Sequence, residues 1–312
     1  MKPAQFRYRR PTTVDEAVHA LAQNGRDTEV LAGGQSLIPM MNFRRKKPET
    51  LVDINRIEEL DYVRESEGVL AIGAMVRQAD LADSEEVIDS CPLVSEALSY
   101  VGHKPTRHRG TIGGNVANAD PASELPAVAI AQDATFVIRS SDDEREVAAE
   151  DFFEGRMGTA IGAGELLTEI RIPTLDDGQG YAFLEQRPRD HGWAIAGVAA
   201  TLSVDERTCR EARLVYIGID DRPLRVEEAE DAIAGAEVDE EAFEEAATTA
   251  RENVDPPSFD EVTADDLRNN QRTGPTDRPQ ASMHAPPEFR RQLVETLTRR
   301  ALASAAERAE GT

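Results

Sequence analysis

LAGGQSLIPMM, residues 31–41, sets two adjacent glycines and a Gln–Ser pair directly against an apolar run. A turn needs one glycine; a backbone that approaches a phosphate needs glycines together with unengaged N–H groups. TIGGN, residues 111–115, repeats the chemistry without repeating the sequence. Each segment is expected to offer several consecutive backbone N–H groups with no bulky side chain in the way. Each adds hydroxyl or amide donors: Gln35 and Ser36 in the first, Thr111 and Asn115 in the second. Such nests bind pyrophosphate oxygens through the main chain, and two of them could grip a diphosphate from both sides. Neither carries the GK[ST] of a Walker loop. Neither fits G-x-G-x-x-G after a strand, which argues against a Rossmann site.

Outward from these segments the chain reads as short strands and helices in mixture. Residues 12–24, TTVDEAVHALAQN, predict a helix: Thr13 and Glu16 make a capping box, Val14, Ala17, Val18 and Leu21 share a face, and Gly25 stops it. TEVLAG, LVDI and VLAIGAM read as strands, QADLADSEEV and LVSEALSYVG as helical. A helix starts near Ser123, a plausible cap, and ATFVIRS and ELLTEIRIP are strands. The texture changes after Pro173. YAFLEQR, AGVAATLSV and EARLVYIGI predict three strands at hairpin-like spacing, followed by helices near 227–235 and 239–251. Residues 254–287 carry prolines and little periodicity, a long surface segment. The last helix places Leu293, Leu297 and Leu302 along one face. These readings put a domain boundary near 174.

Fifty-nine acids against 35 bases leave a net charge of −24, and the only lysines are Lys2, Lys46, Lys47 and Lys104. High, dispersed acidity with almost no lysine suggests a salty cytoplasm, where counterions screen self-repulsion; the alternative is an acidic surface in ordinary salt. Either way it argues against binding nucleic acid through a broad basic face. No apolar run is long enough to span a membrane. The N-terminus shows no signal-peptide pattern, so the expected location is cytoplasmic. Cys91 and Cys209 lack metal-ligand spacing. They are too few for a cysteine-ligated iron–sulfur cluster and do not form a disulfide framework. His108 and His191 have no companion at metal spacing, so no metal site is expected. The cluster Lys104, Arg107, His108 and Arg109 is either solvated charge or a local positive potential near a diphosphate or a partner.

LAGGQSLIPMMNFR together with RGTIGGNVANADPASELP resembles the FAD-binding medium subunit of the molybdenum hydroxylases, after the pattern of aerobic carbon monoxide dehydrogenase and the FAD subunit of xanthine dehydrogenase. The likeness runs through FRYRRPTTVDEAVHAL, ELLTEIRIP, WAIAGVAA and the terminal helix. It implies an α+β chain: a two-lobed FAD-binding domain of the vanillyl-alcohol-oxidase type over residues 1–174, with lobes of about 1–55 and 56–174. A smaller α+β domain over 175–312 would follow, with a three-stranded antiparallel sheet and helices. By the resemblance, Ala32, Gly33, Gly34, Gln35, Ser36 and Leu37 wrap the diphosphate of FAD, and Thr111, Ile112, Gly113, Gly114 and Asn115 complete the grip. Glu124 takes the place of a carboxylate that contacts the sugar–phosphate region, and Leu167 that of an apolar residue on the adenine or flavin side. Trp193, the only tryptophan, stands where relatives place an aromatic near the isoalloxazine; the alternative is an ordinary core or interface indole. Leu184 stands where NAD-using relatives carry a lysine, which argues against direct NAD reduction.

The implied function is an electron relay. A molybdenum-cofactor large subunit oxidises substrate, a small subunit with two [2Fe-2S] clusters passes electrons on, and FAD in this chain delivers them to an external acceptor. A dimer of heterotrimers is the implied assembly. No side chain here is expected to be a nucleophile or general base. The rivals are a stand-alone flavin oxidoreductase, for which the second half offers no His or Tyr constellation, and an assembly subunit that has lost FAD, against which the intact glycine segments argue.

Overall fold

The computed structural model describes residues 2–24, 27–176, 178–257 and 285–310. The predicted helix stop at Gly25 and most of the proline-bearing segment lie outside the described residues.

The first lobe is a parallel three-stranded sheet, β1 (Arg7–Arg9), β3 (Thr50–Asp53) and β2 (Thr28–Leu31) in spatial order. Helix α1 (Val14–Asn24) lays Val14, Ala17, Val18 and Leu21 on Val52, Ile54, Ile57 and Leu60, the face predicted from its periodicity. The capping box is shifted by one residue: Glu16 N–H donates to Thr13 Oγ1 at 3.2 Å, but the Glu16 carboxylate accepts from the backbone of Thr12 at 2.8 Å. A short helix, α2 (Leu37–Asn42), follows the first glycine segment.

The second lobe is an antiparallel sheet of β4 (Val63–Ser66), β5 (Val69–Gly73), β8 (Leu166–Pro173), β6 (Thr135–Arg139) and β7 (Glu144–Ala148), in that spatial order. QADLADSEEV forms two helices, α3 (Gln78–Ala82) and α4 (Glu85–Ser90), because Ser84 breaks the first and accepts the Val87 N–H of the second. Next come α5 (Pro92–Tyr100), α6 (Lys104–Arg107), α7 (Ile112–Asn118) and α8 (Glu124–Ala131), then α9 (Ala149–Phe152) after β7. Every residue of α8 is buried, as befits a helix that is apolar on all sides but its first turn. Ser123 does not cap it by side chain; its hydroxyl donates to Asn115 Oδ1 at 2.7 Å instead.

The third layer is β9 (Gln179–Gln186), β10 (Ala196–Asp205) and β11 (Thr208–Ile217), joined by a fourth, two-residue strand, β12 (Leu224–Arg225). The sheet is thus one short strand wider than the three expected. Strand alternation divides its side chains. Phe183, Ala199, Val215 and Ile217 share the core of the second lobe. Ala182, Val198, Ala200, Leu214 and Tyr216 pack against helices α10 (Glu227–Ile233), α11 (Glu240–Glu252) and α12 (Pro287–Glu310). Leu297 and Leu302 of α12 are buried there, with Leu293 at the margin. Helix α8 lies between the two sheets: Thr201 Oγ1 donates to the Ala131 carbonyl at 3.3 Å, and Gly218 N–H to that of Pro121 at 2.9 Å.

Candidate functional site

The two glycine segments, nearly 80 positions apart in sequence, meet. Gly33 lies on the backbone of Arg109 and Gly110: a Cβ at Gly33 would collide with the Arg109 carbonyl oxygen and stand 2.8 Å from Gly110 Cα. From the other side, a Cβ at Gly114 would stand 3.4 Å from Ala32 Cβ. Gly113 is pressed onto Ala74, whose carbonyl oxygen would lie 2.6 Å from an added Cβ. These positions are glycine because two backbones pass within contact of each other.

A polar clamp holds the segments in register. Arg77 donates through Nη1 to the Arg109 carbonyl at 2.6 Å and through Nη2 to Asn55 Oδ1 at 2.7 Å. Asn55 Nδ2 donates to the carbonyl of Ala32 at 2.9 Å and to Asp53 Oδ1 at 2.7 Å. One arginine and one asparagine therefore tie the end of β2 to the turn before α7. Sequence reading missed both, because neither belongs to a glycine segment. Partial burial and the Arg109 charge hold the Arg77 guanidinium below its ordinary value.

The segments differ in what they offer. Among the described residues, the backbone N–H groups of Gly33, Gly34, Gln35, Ser36 and Leu37 donate no hydrogen bond within the chain. Gly34 has φ +72°, the left-handed conformation that lets successive amides converge. Gln35 Nε2 folds back onto the Gly33 carbonyl at 3.2 Å, while Ser36 is exposed and does not cap α2 by side chain. The second segment corrects the expectation of a matching donor row. Ile112 N–H donates to Val76 O, Gly113 N–H to Ala74 O, Gly114 N–H to Thr111 Oγ1 and Asn115 N–H to Thr111 O. Its amides are consumed in seating and starting α7, so it forms the wall of the cradle rather than its floor.

The other expected residues are more scattered. Glu124 sits in the first turn of α8, joined to the second segment through Ser123 and Asn115. Burial pushes its carboxyl up, and the neighbouring Asp120 pushes it further; burial also raises Asp120 itself, to about 6. Leu167 is enclosed in the core it shares with Ile112. Trp193 is 43% exposed and makes no ring contact among the described residues. Its loop is tied to the approach to α6 by the tilted ring contact of His191 and His103, whose centroids lie 4.4 Å apart. Leu184 faces the helical layer, so its two neighbours on that strand, Phe183 and Glu185, are turned the other way, towards the second lobe. Of the basic cluster, Arg107 is absorbed in donating to the carbonyls of Val101 and Gly102, whereas the exposed Arg109 stands directly on the first segment.

Two family models match the chain: the FAD binding domain in molybdopterin dehydrogenase over residues 4–175, and the CO dehydrogenase flavoprotein C-terminal domain over residues 181–266. The 6-hydroxypseudooxynicotine dehydrogenase complex subunit alpha of Paenarthrobacter nicotinovorans is 35% identical over 100% of this chain and 98% of its own length. Caffeine dehydrogenase subunit beta of a Pseudomonas species is 36% identical over 99% and 97%. Among solved structures, a chain of the reconstituted CO dehydrogenase of Oligotropha carboxidovorans superposes with a TM-score of 0.88 at 33% identity, covering 99% of this chain and all of that one.

Proposed function

The chain belongs to the family of FAD-binding medium subunits of molybdenum hydroxylases, and from that premise we propose that it is the electron relay of such a complex. The observation that carries the reading is the row of five unengaged amides from Gly33 to Leu37, held against Arg109 and Gly110. A diphosphate is the group such a row suits, since it brings several anionic oxygens and no requirement for a side-chain base. Ala32, Gly33, Gly34, Gln35, Ser36 and Leu37 would hold it, with Thr111, Ile112, Gly113, Gly114 and Asn115 as the wall. Arg77 and Arg109 supply positive potential beside it.

When bound, FAD supplies the redox chemistry, accepting electrons singly and releasing them singly or in pairs. The residues of this chain bind it, orient it and set its electrostatic surroundings. Glu124, close behind the second segment, would contact the sugar–phosphate region, Leu167 supports α7 from beneath, and Trp193 would be the aromatic near the isoalloxazine. Electrons would enter from iron–sulfur clusters of a small partner subunit, fed by a molybdenum centre in a large one, and the assembly would be a dimer of heterotrimers. The three relatives act on three unlike substrates by name, which supports a substrate choice made in another subunit. We place the boundary of the FAD domain at 174, where the chain leaves β8 and its sheet for β9 of the next, and read the −24 charge as adaptation to a salty cytoplasm.

The test is the visible spectrum of the complex purified at high salt, followed by release and identification of the chromophore. One FAD per chain, lost in Gly33→Val and Gly114→Val, is the expected result. Full FAD content in both variants, or a complex without flavin, would refute the reading.

A further inference from the structure

One side of the first lobe carries apolar surface that the other described residues do not cover. Register sets Tyr8 of β1 and Glu29 of β2 both opposite Leu51 of β3, so these three share one side of the sheet, while Val52 turns to α1 on the other. The ion pair of Lys46 with Glu29, at 2.7 Å, lays the loop after α2 on the Leu51 side. Tyr8 is 50% exposed, and Ile38 and Phe43, on α2 and just after it, are 37% and 61% exposed. Three of the six exposed large hydrophobic side chains among the described residues thus belong to this small lobe, a concentration that marks a contact surface rather than scatter.

The same surface is basic in a chain of net charge −24. Residues 44–47, Arg-Arg-Lys-Lys, are its only run of four consecutive bases, and no acid lies between Glu29 and Glu49. Three of the four lysines, Lys2, Lys46 and Lys47, gather here: Arg44 Nε donates to the Lys2 carbonyl at 3.3 Å, which brings the N-terminal segment alongside the loop. The Arg45 guanidinium lies over the Phe43 ring, 5.9 Å from its centroid. Protection of an edge strand accounts for Arg7 and Arg9 on β1, because charges there discourage pairing with another sheet. It does not account for an exposed Phe43 set among the bases of a loop. Aromatic side chains together with arginine are the composition of an interface core, not of a solvated charge run.

We propose that this face docks the small iron–sulfur subunit, which meets Phe43, Ile38 and Tyr8 with an apolar contact and Arg44–Lys47 with carboxylates. The inference rests on the reading that this chain carries FAD and receives electrons from that subunit. Helix α2 begins at Leu37, the last residue of the donor row, so whatever covers Ile38 and Phe43 stands beside the cradle. The partner with a reason to stand there is the one that hands electrons to the cofactor. A second copy of this chain does not fit, because an isologous contact would set the basic run against itself. In 1 M salt the Debye length falls to about 3 Å, so the partner's carboxylates act only in direct contact. The apolar centre then carries the affinity, and the bases select an acidic surface and reject a basic one.

The experiment is zero-length carbodiimide cross-linking of the purified complex, followed by peptide mapping in a mass spectrometer. The reagent joins a lysine amine to a carboxylate that touches it, and with four lysines in the chain every product is assigned without ambiguity. A bond from Lys47 or Lys2 to an aspartate or glutamate of the small subunit is the expected product. Bonds from Lys47 to the large subunit alone, or a Lys47 that acetylates in the complex as fast as in a synthetic peptide of the same sequence, would overturn the proposal. A second readout uses Phe43→Ser combined with Lys47→Glu, both at exposed side chains. The concentration at which the complex releases its small subunit on dilution should rise roughly tenfold or more; an unaltered value would overturn the proposal. Sedimentation of the intact complex with phosphatidylglycerol vesicles, abolished in the double variant, would assign the face to a lipid surface and overturn it as well. A small-subunit cross-link in a complex without flavin would refute the FAD reading and leave the docking face standing.

Discussion

Gly33→Ala isolates the contact on which the cradle depends. The φ of Gly33 lies outside the left-handed region, so alanine costs nothing in backbone conformation. The cost is steric. The new Cβ would stand 2.8 Å from Gly110 Cα, where ordinary carbon contacts lie at about 3.5–4.0 Å, so the two segments must part by roughly 0.7–1.2 Å. Overpacking of this kind costs about 1–3 kcal/mol. If parting is the relaxed state of the variant and closure is needed to bind a diphosphate, the same energy is subtracted from FAD affinity, roughly 5- to 150-fold. The assay is titration of flavin-free protein with FAD, followed by quenching of flavin fluorescence. Gly235→Ala is the control. Its φ is +79° with nothing within 4 Å of an added Cβ, and it lies in the third layer. It should cost about 1–2 kcal/mol of stability and leave FAD affinity unchanged. An affinity in Gly33→Ala equal to the parent's would refute the claim that the close approach of the segments builds the site.

Asn55→Ala removes the acceptor of Arg77 and the donor to Ala32; it should cost about 1–3 kcal/mol by chemical unfolding and weaken FAD retention. Loss of stability without loss of flavin would separate the clamp from the cradle. Trp193 is the only tryptophan, so its emission reports alone: FAD addition should quench it, and unaltered emission would place the indole away from the flavin. The hydrogen bond from Arg145 holds the Glu165 carboxyl below its ordinary value. Such a group contributes stability above its unfolded value, about pH 4.3, and the contribution disappears as pH falls through the folded value. Arg145 is 39% exposed, so solvent screening keeps the effect to at most about 1 kcal/mol. Glu165→Gln should flatten that part of the acid limb in urea titrations, and an unaltered limb counts against the pair. Melting in rising KCl should show stabilisation continuing well past ordinary ionic strength; a flat or falling curve would sink the salt reading.

Much of the architecture is readable from periodicity. The α1 stripe of Val14, Ala17, Val18 and Leu21, the strands flanking Pro173 and the buried run of α8 all follow from local pattern meeting a matching apolar surface. What escaped is what pattern does not encode. Ser84 splits a stretch that reads as one helix, because a side-chain cap competes with helix continuation. Leu224 and Arg225 add a strand too short to show alternation. Glu185 was passed over as one acid among many, although its two-residue spacing from buried Phe183 marks it as inward-facing.

The sequence by itself determined that two glycine segments exist, that they carry donors and no bulky side chains, and that the family likeness they bear runs along nearly the whole chain. It could not decide how their amides are used, because hydrogen bonds between residues distant in sequence depend on which backbones fold together. Only the tertiary structure assigned the donor row to Gly33–Leu37 and committed the amides of Ile112–Asn115 to seating and starting a helix. Likewise, only packing of the third layer on the second lobe enclosed the Glu185 carboxyl beside Arg187. Both outcomes have one physical cause: a polar group's role is fixed by the partners and the dielectric that the fold puts around it, and those are properties of contact, not of order along the chain.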